Sequence, residues 1–240
     1  MSLLALLIPS AFVAAAISGT IGMGGGIVLI AIMASLLDPM VVVPIHGAVQ
    51  MTSNFSRSLV LLRRVNWGIV SLYAPTMILG AWLGLQLYRG AGAAWFKPAI
   101  GAFVLSFLAW QQFKPKRIEL PRWVFVPAGV GGGFLTLTLG AAGPYLAAFF
   151  LRDDLDREEI VATKATIQSF GHFLKIPAFL SLGFDYVEQL PLILPLLAAV
   201  VVGTYAGTRL LKRLPEATFK RLFRVVLFLL AIRLLLSPWV

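Results

Sequence analysis

Apolar runs interrupted by little charge extend from one end of this chain to the other. Hydrophobic residues make up 59% of the 240 residues and charged residues 12%, about half the charged share of soluble domains. Several runs approach the roughly 20 residues that a helix needs to cross a bilayer. The sequence therefore predicts an all-α, polytopic membrane protein, with apolar segments at 3–21, 26–37, 41–62, 67–88, 95–113, 122–139, 144–151, 159–181, 190–208 and 218–239.

Two of these runs carry the same glycine-rich interruption, 118 residues apart. The first is Gly22-Met23-Gly24-Gly25-Gly26 and the second is Gly140-Ala141-Ala142-Gly143-Pro144. Aligning 9–60 on 127–178 gives nine identities, where composition alone would give roughly four. After an insertion near 181–190 the offset becomes 123, which places Gly80 and Gly84 on Gly203 and Gly207. The pattern predicts two transmembrane repeats, 1–120 and 121–240, within one integral membrane domain.

The distribution of basic residues predicts that the two repeats are inverted relative to each other. Arg63 and Arg64 follow the third segment, whereas the matching loop at 181–191 has no Lys or Arg and carries Asp185 and Glu188. After the fourth segment the bias reverses, with six basic residues between 209 and 224 in the second half. Basic loops stay on the cytoplasmic side, so an opposite bias at matching loops indicates opposite orientation.

Inverted repeats need an odd number of full crossings each, which the lengths of the segments allow. The run 26–37 is about 18 Å long as a helix and 144–151 is shorter, against a hydrocarbon core of about 30 Å. We therefore expect a helical hairpin in each half, with a glycine tip near the bilayer midplane, followed by three spanning helices. A conventional hydropathy count, which predicts seven or eight spans, is the alternative.

The glycine tips predict an anion site. Glycine permits positive φ and close approach of a ligand to the backbone, and helices restarting at Gly26 and Pro144 would expose unpaired N–H groups. Two such helix ends carry partial positive charge toward the membrane centre. The alternative is that the glycines of the tips serve only close helix packing. Close packing is also the role expected for Gly80, Gly84, Gly203 and Gly207, which lie elsewhere in the chain.

Two polar stripes follow the tips with matching spacing. His46, Gln50, Asn54 and Arg57 lie on one helix face, and Lys164, Gln168, His172 and Lys175 repeat the arrangement. Polar side chains in membrane helices usually face a cavity or one another, and neither stripe contains an acid, which favours an oxyanion. Arg57 or Lys175 would supply the countercharge, and the histidines would titrate if transport is linked to protons.

Alternatives remain for three parts of this pattern. Arg57 precedes Arg63 and Arg64 and would instead extend to the cytoplasmic surface. Lys164 follows the charged segment 152–159 and would instead be interfacial. That segment itself is most simply a solvated connection.

The sequence resembles the sulfite exporter TauE/SafE family of membrane permeases over essentially its whole length. The resemblance rests on the stretch from Ala15 to Gly26, on Pro44 with the helix of Gln50 and Asn54, and on the stretch from Val161 to Lys175. It implies a permease of a bacterial or archaeal cytoplasmic (inner) membrane that moves small sulfur oxyanions or organosulfonates, usually outward. The second half departs from the fuller glycine motif at Ala141, Ala142 and Pro144.

We therefore expect a secondary transporter whose partners are a small sulfur-containing anion, such as sulfite, thiosulfate or an organosulfonate, and the lipid bilayer. A passive anion channel or facilitator is the main alternative. A membrane-embedded enzyme is less favoured, because no catalytic motif accompanies the histidines and serines. The net charge of +10 lies in loops that flank apolar segments, so no nucleic-acid partner is expected. No catalytic residue, metal site or cofactor is predicted.

The expected substrate-binding residues combine the two tips and the two stripes. They are Gly22, Gly24, Gly25, Gly26, His46, Gln50, Asn54, Arg57, Gly140, Gly143, Pro144, Lys164, Gln168, His172 and Lys175.

Overall fold

A computed structural model describes residues 3–21, 24–90, 95–113, 120–152, 154–210 and 216–236. In these residues it is all-α, which confirms the predicted class. The helices are α1 (Leu3–Ile21), α2 (Gly25–Leu36), α3 (Pro39–Val60), α4 (Trp67–Gly90), α5 (Phe96–Phe113), α6 (Phe125–Thr138), α7 (Gly143–Phe149), α8 (Arg157–Leu180), α9 (Leu190–Leu210) and α10 (Glu216–Leu236). Gly22 and the basic loop residues Lys114, Lys116, Arg117, Lys212 and Arg213 lie outside the described residues.

Each predicted apolar segment forms one helix. The central helices α3 and α8 begin at equivalent aspartates, because Asp38 accepts a hydrogen bond from the backbone of Met40 and Asp156 accepts one from Glu159. Capping satisfies N–H groups that have no partner inside the helix. The capping aspartates, Asp38 and Asp156, are thus one of the nine identical pairs in the alignment of the two repeats.

Both glycine interruptions break the helix, as the sequence predicts. α1 ends at Ile21 and α2 begins at Gly25, after Gly24 at φ 98°. α6 ends at Thr138 and α7 begins at Gly143, and Gly140 between them has φ 76°. α2 has 12 residues and α7 has 7, so they are about 18 Å and 10 Å long, shorter than a bilayer core of about 30 Å.

Four glycines place helices of one half against helices of the other. In the contact of α4 with α6, Gly80 and Gly84 pack on the backbone of Val130 and Phe134. In the contact of α9 with α1, Gly203 and Gly207 pack in the same way, on the backbone of Phe12 and Ala16. The two contacts are related by the repeat. The offset of 123 relates Gly80 and Gly84 to Gly203 and Gly207, and the offset of 118 relates Phe12 and Ala16 to Val130 and Phe134. The small residues thus serve close packing at two equivalent crossings, as the sequence predicts.

The two polar helices, α3 and α8, meet at the centre and run antiparallel. The ring centroids of His46 and His172 are 5.6 Å apart, and the hydroxyls of Ser58 and Thr166 are 2.7 Å apart. Residue number therefore rises along one helix as it falls along the other. This contact brings the two predicted stripes face to face.

The second short helix has an open space beside it. α2 packs against α10, whereas α7 stops after seven residues and an apolar cleft of about 270 Å³ separates it from α5. Aromatic side chains provide most of the cleft wall. The lining residues are Phe103, Ser106, Phe107, Trp110, Pro144, Tyr145, Ala148 and Phe149.

A charged cluster ties the loop after α3 to the start of α8. Arg64 lies 3.1 Å from a carboxylate oxygen of Glu158 and 3.5 Å from one of Asp156. Arg152 donates two hydrogen bonds to Asp154, and these bonds hold the pKa of that carboxyl below its usual range. Arg152 also donates to the backbone carbonyl of Leu120. Asp154, Asp156 and Glu158 in this segment are exposed, as expected, whereas Leu155 and the side chain of Arg152 are largely buried. The ion pairs of Arg64 also connect the two halves.

Two helices in the described part of the chain are long and apolar enough to cross a membrane by length and composition. They are α4 (Trp67–Gly90) and the part of α9 from Leu190 to Gly207. Large apolar side chains on the outer face of α4, including Trp82 and Leu79, are exposed, as lipid-facing residues would be. The number of spans and the hairpins remain predictions.

Candidate functional site

A small, partly enclosed cavity lies where the two helix breaks face the two polar helices. Its volume is about 20 Å³, which is room for one or two waters. None of the described lining residues is acidic. The lining residues are Ser18, Gly24, Gly26, Ile27, His46, Gln50, Asn54, Arg57, Ala141, Gly143, Pro144, Gln168 and His172.

The start of α2 forms one wall of the cavity. No side chain caps α2 at Gly24. Its first N–H groups, which have no acceptor within the helix, therefore have no capping partner either. The carboxamide of Gln50 lies beside Gly26, where an added Cβ would be 3.4 Å from Oε1. Gly25 faces away from the cavity, against the last turns of α1 at Ala14 and Ser18.

The second half repeats this arrangement with a weaker helix end. A Cβ on Gly143 would lie 2.9 Å from Nε2 of Gln168, so each glutamine packs on the first residue or two of the short helix in its own half. α7 has only seven residues and carries Pro144, which has no N–H to offer. The two tips, which the sequence treats alike, therefore differ in the number of donors that they present.

The two histidines sit between the halves. His46 is fully buried, and its Nε2 lies 2.9 Å from the carbonyl oxygen of Gly26. A carbonyl only accepts, so Nε2 carries a hydrogen. Nδ1 of His46 and Nδ1 of His172 are buried and have no hydrogen-bond partner in the described structure. In a neutral ring Nδ1 of His46 is therefore an acceptor that a water would satisfy, and only a protonated ring would donate from it to an anion.

Arg57 is the cation of the cavity. It is 6% exposed, which contradicts the alternative that it extends to the cytoplasmic surface. Nη1 donates to Oδ1 of Asn54 at 3.1 Å, and Nδ2 of Asn54 donates to the carbonyl of Gln50 at 2.9 Å. Nε and Nη2 of Arg57 are buried without a partner among the described residues. An unmatched guanidinium edge is expensive to bury, which marks it as a place for an anion.

Lys175 and Lys164 do not line the cavity. Nζ of Lys175 donates to the carbonyl oxygen of Gly140 at 2.6 Å, and its aliphatic chain packs on Gly47. Lys175 is therefore positioned to support the scaffold of the site. Lys164 lies in α8 and is 1% exposed, so it is buried within the protein.

The structure brings most of the predicted residues together. Ten of the fifteen line the cavity, Gly22 lies outside the described residues, and Gly25, Gly140, Lys164 and Lys175 do not line it. The prediction missed Ser18, Ile27 and Ala141. Ser18 was detectable, because it lies one turn before the first break and its counterpart Thr136 also precedes the second break and is buried. Among the described residues no group of three His, Asp or Glu side chains is placed to hold a metal ion.

Comparison with known proteins agrees with a helical membrane protein. The family model described as sulfite exporter TauE/SafE matches residues 7–234. The chain is also similar to the "Probable inner membrane transporter protein TsaS" of Comamonas testosteroni, with 24% identity over 226 residues, 92% of this chain and 86% of the relative. No solved structure matches the chain.

Proposed function

The chain belongs to the sulfite exporter TauE/SafE family, and from that membership we propose that it is a secondary transporter that exports small sulfur-containing anions, such as sulfite or organosulfonates, across the cytoplasmic membrane. The family consists of membrane transporters, so the chain is not an enzyme. The substrate, the direction of transport and the binding site are the parts that belong to the proposal.

The observation that carries the proposal is the composition of the central cavity. Its donors include two glutamine amides, the uncapped start of α2 and a buried guanidinium, and none of the described lining residues is a carboxylate. Such a group of donors, enclosed away from water, favours an anion over a cation or a neutral solute. The anion would contact the ten predicted residues of the wall, namely Gly24, Gly26, His46, Gln50, Asn54, Arg57, Gly143, Pro144, Gln168 and His172.

We further propose that the halves are inverted and that transport proceeds by alternating access. Three observations support inversion. α3 and α8 are antiparallel, and the matching loops differ in charge. In addition, the fourth helix of each half packs its glycines on the first helix of the other half, α4 on α6 and α9 on α1. A two-fold axis that relates antiparallel membrane helices has to lie in the membrane plane, as in other repeat-built transporters. The cavity lies near this axis, where both halves contribute to the wall.

The direct test is transport by the purified protein in proteoliposomes, measured with radiolabelled sulfite. Gln50→Ala and Gln168→Ala should each reduce the rate about tenfold or more, because a hydrogen bond to a charged group contributes about 1.5–3 kcal/mol. Gln112→Ala, an exposed residue at the end of α5, is the matched control and should transport like the wild type. If both cavity variants insert, fold and keep full rates, the proposed site is wrong.

A counterflow arm separates a carrier from a passive channel. Vesicles preloaded with unlabelled sulfite should take up labelled sulfite faster than empty vesicles if the protein alternates between two access states. A channel would show no such acceleration, and its flux would not saturate.

A further inference from the structure

Two cations occupy equivalent positions in the halves and make different contacts. Arg57 and Lys175 are 118 residues apart, which is the repeat offset, and both are buried. Nζ of Lys175 is 2.6 Å from the carbonyl oxygen of Gly140, so this ammonium group already has an oxygen partner from the chain itself. Its role is to position the second helix break, and it is not part of the cavity wall.

Arg57, in contrast, lines the cavity with part of its guanidinium unused. Nη1 is committed to Asn54, and Asn54 is held in turn by the backbone of Gln50. The two remaining nitrogens, Nε and Nη2, are buried and have no partner among the described residues. These two nitrogens form one edge of the planar group, where two N–H bonds point in nearly the same direction.

This edge matches a particular kind of ligand. Two parallel N–H donors pair best with two oxygens bonded to the same atom, as in a carboxylate, a phosphate or the SO₃ group of sulfite and sulfonates. A halide is a single acceptor atom, so it cannot pair the two parallel N–H donors with two separate oxygens. The uncapped start of α2 lies in the same cavity wall and offers backbone N–H groups to a third oxygen.

We propose that Arg57 is the residue by which this transporter selects oxyanion head groups, by holding two oxygens of one SO₃ group on its Nε–Nη2 edge. The inference rests on the proposed function, because it assigns the substrate class of the same cavity. The cavity volume of about 20 Å³ admits one such head group only with some expansion. Any organic part of a sulfonate therefore has to lie outside the present cavity.

The test measures dissociation constants of the purified protein for sulfite, methanesulfonate, chloride and iodide, from the dependence of the melting temperature on ligand concentration. Arg57→Lys keeps a positive charge and removes the planar edge. It should weaken sulfite and methanesulfonate about tenfold or more while changing the halides by less than about threefold. Arg64→Lys, an exposed arginine in the loop after α3, is the matched control and should leave all four constants unchanged.

A second variant covers the case in which Arg57→Lys does not fold. Asn54→Ala keeps the guanidinium but frees Nη1, so the edge is no longer held in one orientation; it too should lower the preference for sulfite over chloride. Unchanged preference in the variant that folds overturns the role of Arg57, as does a Lys175→Gln variant that alone loses the preference. If the wild type binds none of the four anions, the proposed function itself fails, and this inference fails with it.

Discussion

At the scale of single residues, the backbone of the two helix breaks depends on glycines that other residues cannot replace. Gly24 and Gly140 have φ of 98° and 76°, in the left-handed region that side chains disfavour. Gly140 is also enclosed, because an added Cβ would meet the side chain of Ile30. Its carbonyl is the acceptor for Lys175. Strain and packing therefore act at the same residue.

We predict that Gly140→Ala lowers the apparent melting temperature of the purified protein. The positive φ alone costs an alanine about 1–2 kcal/mol, and the contact with Ile30 adds to it. Gly183→Ala is the matched control, since Gly183 has φ 83° in a loop and a Cβ there meets nothing within 4 Å. Equal shifts in the two variants would contradict a packed, rigid break at Gly140.

At the scale of helices, the two glycine crossings, α4 with α6 and α9 with α1, determine which helices of the two halves lie together. Gly80 on α4 and Gly203 on α9 each allow the backbone of a helix from the other half to approach directly. Without a hydrophobic driving force between helices in lipid, such close packing is a main source of association. The two crossings therefore hold the halves together.

We predict that Gly80→Ala and Gly203→Ala destabilise the protein by similar amounts, about 1–3 kcal/mol each, because both would force backbone apart at equivalent contacts. Gly90→Ala, at the last residue of α4, is the control, because a Cβ there meets no neighbour within 4 Å. Melting in detergent measures all three. A loss confined to one crossing would contradict their equivalence.

At the scale of the whole molecule, inversion of the halves predicts where each loop lies. The loop of Arg63 should be cytoplasmic and the loop of Glu188 external. The native sequence has no cysteine, so single cysteines introduced at these positions give labelling without background.

Labelling of intact cells with a membrane-impermeant maleimide should therefore modify Glu188→Cys and spare Arg63→Cys. Glu158→Cys is an internal control, since Glu158 lies 3.1 Å from Arg64 and has to share its side of the membrane. Labelling of Arg63→Cys and Glu188→Cys from the same side would exclude inverted halves.

The sequence predicted the helices, the breaks and the facing of the two stripes because these depend on hydrophobic spacing and on glycine. Gln50 and Gln168 were predictable for the same reason, since they are identical residues at the repeat offset. The difference between Arg57 and Lys175 was not predictable. Equivalent positions fix where a side chain starts, but its partner depends on local contacts: a flexible ammonium reaches a carbonyl, whereas a guanidinium tied to Asn54 does not.

The contacts shared by the two halves also have a consequence for how the protein would move during transport. α1 packs with α9, and α4 packs with α6, so each closely packed unit contains helices from both ends of the sequence. A motion that parted residues 1–120 from 121–240 would have to break both glycine crossings. The alternating access proposed above would therefore occur between mixed bundles, one containing α1 and α9 and the other α4 and α6, and we predict that the α3–α8 contact serves as the hinge.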